Sequence, residues 1–175
     1  FKLNSLISPN PFPELTSSVF FGVYNNQDWN FSVSVIPTKS GSLKYVSGSG
    51  DYSYTLKFEG YNTLLGDIRD SFSLEESLTK AQGENFLKSA KRVYAGAEKT
   101  NITGALAFRS NMKLLSVLAF ADYLEDDELK SHARDVTSFG RKEPYDNTFV
   151  FSSGTLDNIY IPRIDTLAMN LAFNQ

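Results

Sequence analysis

The densest cluster of side chains that could do chemistry is an acidic run, in which Asp122 precedes Glu125, Asp126, Asp127 and Glu128. Carboxylate oxygens are the ligands that Ca²⁺ and Mg²⁺ prefer. An EF-hand loop, however, needs alternating acidic positions, a central glycine and a closing glutamate, and this spacing is missing. Carboxylates also suit a solvated helix start or the tip of a hairpin, so we predict such a feature here and no metal site.

Other reactive side chains are scarce. The chain has one histidine and no cysteine, which excludes thiolate catalysis, disulfides and zinc or iron–sulfur sites of ordinary composition. His132 has Lys130 and Arg134 on its two sides, and we expect it at the surface. A Ser-His-Asp triad on a nucleophile elbow would need Gly-x-Ser-x-Gly, which occurs in no frame. We predict no catalytic residue, no cofactor and no enzymatic activity.

Composition also restricts the partners. The 175 residues carry a net charge of −3, and no basic run is longer than Lys91-Arg92, so we expect no direct recognition of nucleic acid. No window approaches the ~18 apolar residues that a membrane span needs. The N-terminus lacks the charged region and long apolar run of a signal peptide. We expect no membrane partner.

An extended arm is predicted at residues 1–15. Three of the six prolines fall within five residues, at Pro9, Pro11 and Pro13, and this density excludes both helix and central strand. Such an arm either lies on its own domain or reaches onto a neighbouring subunit. The first arrangement is the commoner one for chain termini.

Two segments alternate apolar and polar residues with the period of a strand. In residues 29–36 the apolar positions include Trp29 and Phe31, and in residues 51–59 they include Tyr54 and Phe58. Each strand should therefore have one buried and one wet face. Together with a short apolar piece at 43–46, they predict a small antiparallel meander.

A helix is predicted at residues 73–95. Ser73 followed by Glu76 has the spacing of a capping box, and Leu74 and Leu78 begin an apolar face that is interrupted near Gly83. Basic residues and Gly96 suit its end.

Residues 110–139 fit two alternatives. As a helix, the segment is capped by Ser110, and a second helix begins at 125–128. As a long hairpin, it turns at Asp126-Asp127 and returns over 128–139. Periodicity supports both, and the scarcity of β-branched residues favours the helix.

The last part returns to strands at 148–151, 158–161 and 164–173. No linker or internal repeat divides the chain, so we predict a single domain over residues 1–175. The predicted fold class is α+β, with an antiparallel sheet, sandwich or barrel-like sheet and one or two packed helices.

The order of these elements resembles the tail-tube fold of bacteriophages and related contractile injection systems. The elements concerned are the strand region 29–59, the helix 73–95, the segment 112–139 taken as an Asp-tipped hairpin, and the terminal strand 164–173. In that family, subunits join their sheets into a continuous barrel and form stacked rings. The resemblance implies a self-assembling structural protein in a virion or an extracellular assembly, which contacts its own copies and neighbouring structural proteins.

Two other functions stay open. One is an extracellular binding or adhesion module for a glycan or a protein, because aromatic residues make up 14% of the chain. The other is a hydrolase with a carboxylate pair, because twenty acidic residues always offer candidates. For assembly, we predict contacts in the arm and in the acidic run, at Pro9, Pro11, Phe12, Pro13, Glu125, Asp126, Asp127 and Glu128.

Overall fold

The computed structural model describes residues 1–4, 11–37, 53–90, 97–99, 104–109, 112–136 and 166–173. Within them lie nine strands and two helices: β1 (Lys2–Leu3), β2 (Leu15–Thr16), β3 (Asp28–Pro37), β4 (Tyr54–Leu64), β5 (Asp67–Leu78), α1 (Lys80–Lys88), β6 (Ala97–Lys99), β7 (Leu106–Arg109), β8 (Ser116–Phe120), α2 (Asp126–Arg134) and β9 (Leu167–Ala172). Every described strand pair is antiparallel, in one three-stranded sheet and three two-stranded sheets. The predicted α+β class is confirmed, and the described sheets are open.

The main sheet has the order β3-β4-β5. The prediction of a strand at 29–36 is confirmed by β3. The strand predicted at 51–59 corresponds to β4, which continues five residues further, to Leu64. The short piece predicted at 43–46 lies outside the described residues.

The start of the helix predicted at 73–95 is wrong. Ser73 and Glu76 belong to β5, and the helix begins only at Lys80, after the N-cap Thr79. The Thr79 hydroxyl accepts from the Gln82 backbone N–H (3.3 Å). Thr79 and Gln82 therefore form the capping box that was predicted at Ser73 and Glu76. Leu74 and Leu78 are four residues apart, a spacing that fits one helix face and one strand face equally, and pairing with β4 decides for the strand. The helix ends at Lys88, and residues 91–95 lie outside the described part.

One face of β4 packs against an aromatic core. Leu56 and Phe58 are buried there together with Phe72 and Leu78 of β5 and Leu15 of β2. The sheet leaves no room for a side chain at Gly60, because a Cβ atom would lie 2.2 Å from the Phe72 ring. The glycine therefore lets the Phe72 ring lie directly on the backbone of the central strand.

The opposite face of β4 is covered by α2, which corrects the expectation of a wet face. Tyr61 of β4 packs with Leu129 and Ala133 of the helix. The Thr63 hydroxyl donates to the Ala133 carbonyl (3.1 Å), near the end of α2. Both faces of β4 are therefore covered. Its alternating side chains point into two buried environments, one aromatic and one partly charged, and not into a core on one side and solvent on the other.

The predicted arm folds back on its own sheet in the parts that the structure describes. β1 pairs with β2, and the Phe1 ring lies 4.7 Å from the Phe31 ring and 5.6 Å from the Phe72 ring. The Phe1 amino group donates to the Ser17 hydroxyl (2.8 Å). The described parts of the arm, residues 1–4 and 11–15, thus lie on the chain's own sheet.

The segment 110–139 matches neither alternative as a whole. A strand, β8, occupies 116–120, where the favoured reading predicted a helix, and the return leg of the alternative hairpin is helical as α2. The start of a second helix near Glu125 is confirmed. The partner of β8 is β9, which confirms the central part of the strand predicted at 164–173. Ser110 and the strands predicted at 148–151 and 158–161 lie outside the described residues.

Candidate functional site

The acidic run forms the first turn of α2. The Glu125 backbone N–H donates to Glu128 Oε2 (2.6 Å), and Asp126, Asp127 and Glu128 place negative charge at the positive pole of the helix dipole. Glu128 is only 2% exposed, so this predicted contact residue points into the fold. The other three are exposed. The prediction of a helix start is confirmed.

A partly buried ion cluster ties this helix start to the main sheet. The Lys57 ammonium of β4 donates to Asp126 and lies 3.3 Å from Glu59 Oε1 and 3.6 Å from Glu75 Oε1. The Lys57 side chain is 11% exposed and Glu59 is almost fully buried. The Tyr61 hydroxyl donates to Glu59 Oε1 (3.0 Å). One ammonium therefore meets three carboxylates beneath the helix.

The electrostatics of this cluster favour ion pairing. Burial alone would lower the pKa of Lys57, but its hydrogen bond to Asp126 and the charges of Glu59 and Asp126 outweigh burial and raise that pKa above its usual value. Burial and the neighbouring Glu59 also raise the pKa of the Tyr61 hydroxyl. At neutral pH the Lys57 amine is protonated, so it is a structural cation and not a nucleophile.

A groove of about 460 Å³ opens beside the cluster, between the end of β3 and the start of α2. Its lining combines three apolar or aromatic side chains with five charged ones: Ile36, Tyr123, Leu124, Lys57, Glu125, Asp126, Asp127 and Lys130. Lys130 Nζ lies 3.4 Å from Asp127 Oδ1, one turn earlier on α2. Among the described residues no three His, Asp or Glu side chains are grouped so as to hold a metal ion.

His132 is buried, which corrects the prediction of a surface residue. It is 4% exposed and its ring lies 5.9 Å from that of Phe120. Within the part of the chain that the structure describes, neither ring nitrogen has a hydrogen-bond partner. Burial lowers the pKa of His132 to about 4. The charged neighbours misled the prediction because residues two positions away on a helix point to its other side.

The arm and the acidic run lie on opposite faces of the main sheet. Phe12 packs against Phe86 of α1, with ring centroids 6.2 Å apart, and the Pro11 carbonyl accepts from Gln82 Nε2 (2.7 Å). Pro13 is exposed, and Pro9 lies outside the described residues. The predicted contacts are therefore two separate surfaces and not one site.

The sequence analysis missed a third surface, the outer edge of β3. Among the described strands only β4 pairs with β3, and Phe31 and Val33 are each 44% exposed. No charged residue occurs from Trp29 to Pro37, whereas β5, on the other edge, carries five: Asp67, Arg69, Asp70, Glu75 and Glu76. The run of nine uncharged residues is visible in the sequence, but it indicates an edge surface only once the strand order is known.

Exposed apolar side chains also mark one end of the main sheet. Phe21 and Tyr24 precede β3, and Leu65 lies at the turn between β4 and β5; all three are almost fully exposed. Since Asp28 pairs with Thr63, the two turns are neighbours. The positive-φ residues of the described chain all fall in these turns, at Gly22, Asn26, Leu65 and Gly66.

Comparisons with known proteins give no relative: no family model, no curated protein and no solved structure matches this chain. None of the described helices is long and apolar enough to cross a membrane.

Removing the Lys57 charge should destabilise the fold. In Lys57→Met, Glu59 and Asp126 lose their shared cation, and we expect the free energy of unfolding to fall by roughly 2–3 kcal/mol, less than for a fully buried pair because Asp126 remains exposed. Urea denaturation measures this. As control, Lys88→Met breaks an exposed pair with Glu84 and should have almost no effect. Equal effects of both variants would contradict a structural role of the cluster.

Burial of His132 should make stability depend on pH. Its folded-state pKa of about 4 is below the value of 6.5 for an unperturbed histidine, so the unfolded chain binds the proton more tightly. The resulting stability is present above pH 6.5 and is lost as the pH falls towards 4, by about 2 kcal/mol between pH 7 and pH 5. Urea midpoints at the two pH values measure this loss.

The matched variant is His132→Leu, which removes the one imidazole of the chain. We expect its stability to change little between pH 7 and pH 5. A variant that still loses as much stability as the unmodified protein would show that other groups cause the effect.

Proposed function

We propose that this protein is a self-assembling structural subunit, and that its copies associate through the outer edge of β3. The observation that carries the proposal is the contrast between the two edges of the main sheet. The β3 edge is uncharged over nine residues and exposes Phe31 and Val33, whereas β5 carries five charged side chains.

The physical argument starts from the backbone. The outer side of an edge strand presents a row of N–H and C=O groups, which pair readily with another strand. Natural proteins protect such edges with charged residues, and β5 follows this rule. β3 does not, so strand addition meets no charge repulsion there. Adding a strand would also remove from water part of the apolar surface of Phe31 and Val33, which are half-exposed.

The finer proposal is a subunit of a phage tail tube or a related injection machine, located in a virion or an extracellular assembly. Its support is the architectural resemblance: antiparallel strands followed by a helix, with a further alternating strand near residue 170. The hairpin that the resemblance uses at 112–139 is not part of that support, because β8 is followed by a helix. The general proposal of assembly through β3 does not depend on this finer one.

A second candidate is the extracellular binding module, which the exposure of Phe21 and Tyr24 favours. Trp29, by contrast, is a packing residue. It stacks on Phe31 with ring centroids 5.8 Å apart, and its indole N–H donates to Gln27 Oε1 (3.1 Å). For the hydrolase hypothesis, the carboxylates of Glu59 and Asp126 are engaged by one ammonium instead of facing each other across open space.

Introducing a charge on the β3 edge tests the proposal. We expect the unmodified protein to form oligomers whose population rises with concentration, and Val33→Lys to weaken that association about tenfold or more, because a charge at a strand–strand contact opposes pairing. Sedimentation velocity over a concentration series measures it. The control is Ser71→Lys, which introduces the same charge at an exposed position of β5.

Ser71→Lys should associate as the unmodified protein does. A strict monomer at every concentration, with no rings, fibres or dimers in micrographs, would overturn the proposed function.

A further inference from the structure

The sequence of β3 is compatible with antiparallel pairing to itself. With Val33 at the centre, the two nearest pairs match in character: Phe31 faces Val35 of a second copy, and Ser32 faces Ser34. Further out, Asn30 faces Ile36 and Trp29 faces Pro37. On this register Val33 lies opposite Val33 of the other copy. No charged residue enters the paired stretch from Trp29 to Pro37.

We propose that two copies of this chain pair their β3 strands antiparallel about a twofold axis that passes next to Val33. This rests on the proposed function and specifies its partner and geometry. The result is a continuous six-stranded sheet in the order β5-β4-β3-β3-β4-β5. It is an isologous contact, in which the same surface serves on both sides.

Each face of the joined sheet keeps the same kind of side chain on both sides of the contact. Antiparallel partners point to the same side of a sheet, so Phe31, Val33 and Val35 of both copies extend the aromatic face. This face already holds Phe58, which pairs with Val33 within one chain. The serine positions meet on the opposite face, next to α2. A shift by a single residue in one strand would instead set apolar against polar positions.

Alternative registers are less favourable. An axis at Ser32 keeps the faces matched but brings Asp28 opposite Ile36, so a carboxylate would enter the paired stretch. An axis at Ser34 shortens the paired stretch, because β3 ends at Pro37. Since a twofold contact joins two copies and stops, any larger assembly would need a second surface, such as the exposed turns with Phe21 and Leu65.

Single introduced cysteines test the register, because the chain has none of its own. In an antiparallel pair, directly opposite Cα atoms are about 4.5–5.5 Å apart, within the range that a disulfide spans. We therefore expect Val33→Cys to form a covalent dimer under mild oxidation, as seen on a non-reducing gel. Phe31→Cys alone should not, since its counterpart would lie about 13 Å away along the strand.

A mixture of Phe31→Cys with Val35→Cys should again cross-link, because these positions face each other across the axis. Ser71→Cys on β5 is the control and should remain monomeric on the gel. Cross-linking by Ser32→Cys in place of Val33→Cys would overturn the proposed register.

Charge complementation gives a second readout that needs no oxidation. Val33→Lys and Val33→Asp, each alone, place like charges opposite each other and should sediment as monomers. Mixed in equal amounts they place opposite charges across the axis and should recover dimers. Circular dichroism is used to check that both variants fold.

The outcomes separate this inference from the proposed function. If the unmodified protein does not associate, the proposed function fails. If it associates, but Val33→Cys gives no dimer and the charge mixture gives no recovery, then assembly stands and the β3–β3 contact is wrong.

Discussion

The structure depends on burying β4 on both of its faces. Leu56 and Phe58 project into the aromatic core, while Lys57 and Glu59, which alternate with them, project beneath α2. A strand buried on both sides would usually be apolar throughout. Here the alternating pattern is retained, so charged groups enter the interior and must be paired there.

That constraint determines where α2 lies. Its first turn brings Asp126 to the Lys57 ammonium, and near its end the Ala133 carbonyl accepts from Thr63. Between these two contacts, Leu129 packs on Tyr61. The acidic run therefore serves two purposes at once: it stabilises the positive pole of the helix, and it supplies a counter-charge to the sheet.

The two edges of the main sheet differ in charge and in exposed apolar surface. The N-terminal segment, with Phe1, and α1 cover the aromatic core, but they leave Phe31 and Val33 half-exposed at the outer edge of β3. The other edge is charged along β5. Assembly through β3 is thus proposed where the fold itself leaves an apolar, uncharged edge.

Much of the fold was predictable from local pattern, as β3 and β4 show, since alternation is a local property. The helix start at Glu125 was also predictable, because acidic residues suit a first turn. The β5 strand was not, because Leu74 and Leu78 satisfy both periods and only pairing with β4 decides. The burial of His132 and Lys57 was not predictable either, because it depends on α2 packing against a sheet that is distant in the sequence. Lys57 and its partner Asp126, for example, are 69 residues apart.

The β3 edge could not be identified from a local sequence pattern either. Its lack of charge is visible in the printed sequence, but its meaning depends on knowing that β3 is an edge strand and that β5 is the opposite edge. The arm illustrates the same limit: its prolines predicted an extended conformation, and only the tertiary structure shows Phe12 against Phe86.

Hydrogen–deuterium exchange at increasing protein concentration tests the central claim most directly. If copies associate through β3, the amides of β3 that point away from β4 should exchange more slowly as concentration rises, while those of β4 and β5 keep their rates. Exchange of the β3 amides at one rate over the whole concentration range, or protection that appears along β5 instead, would contradict assembly through this edge.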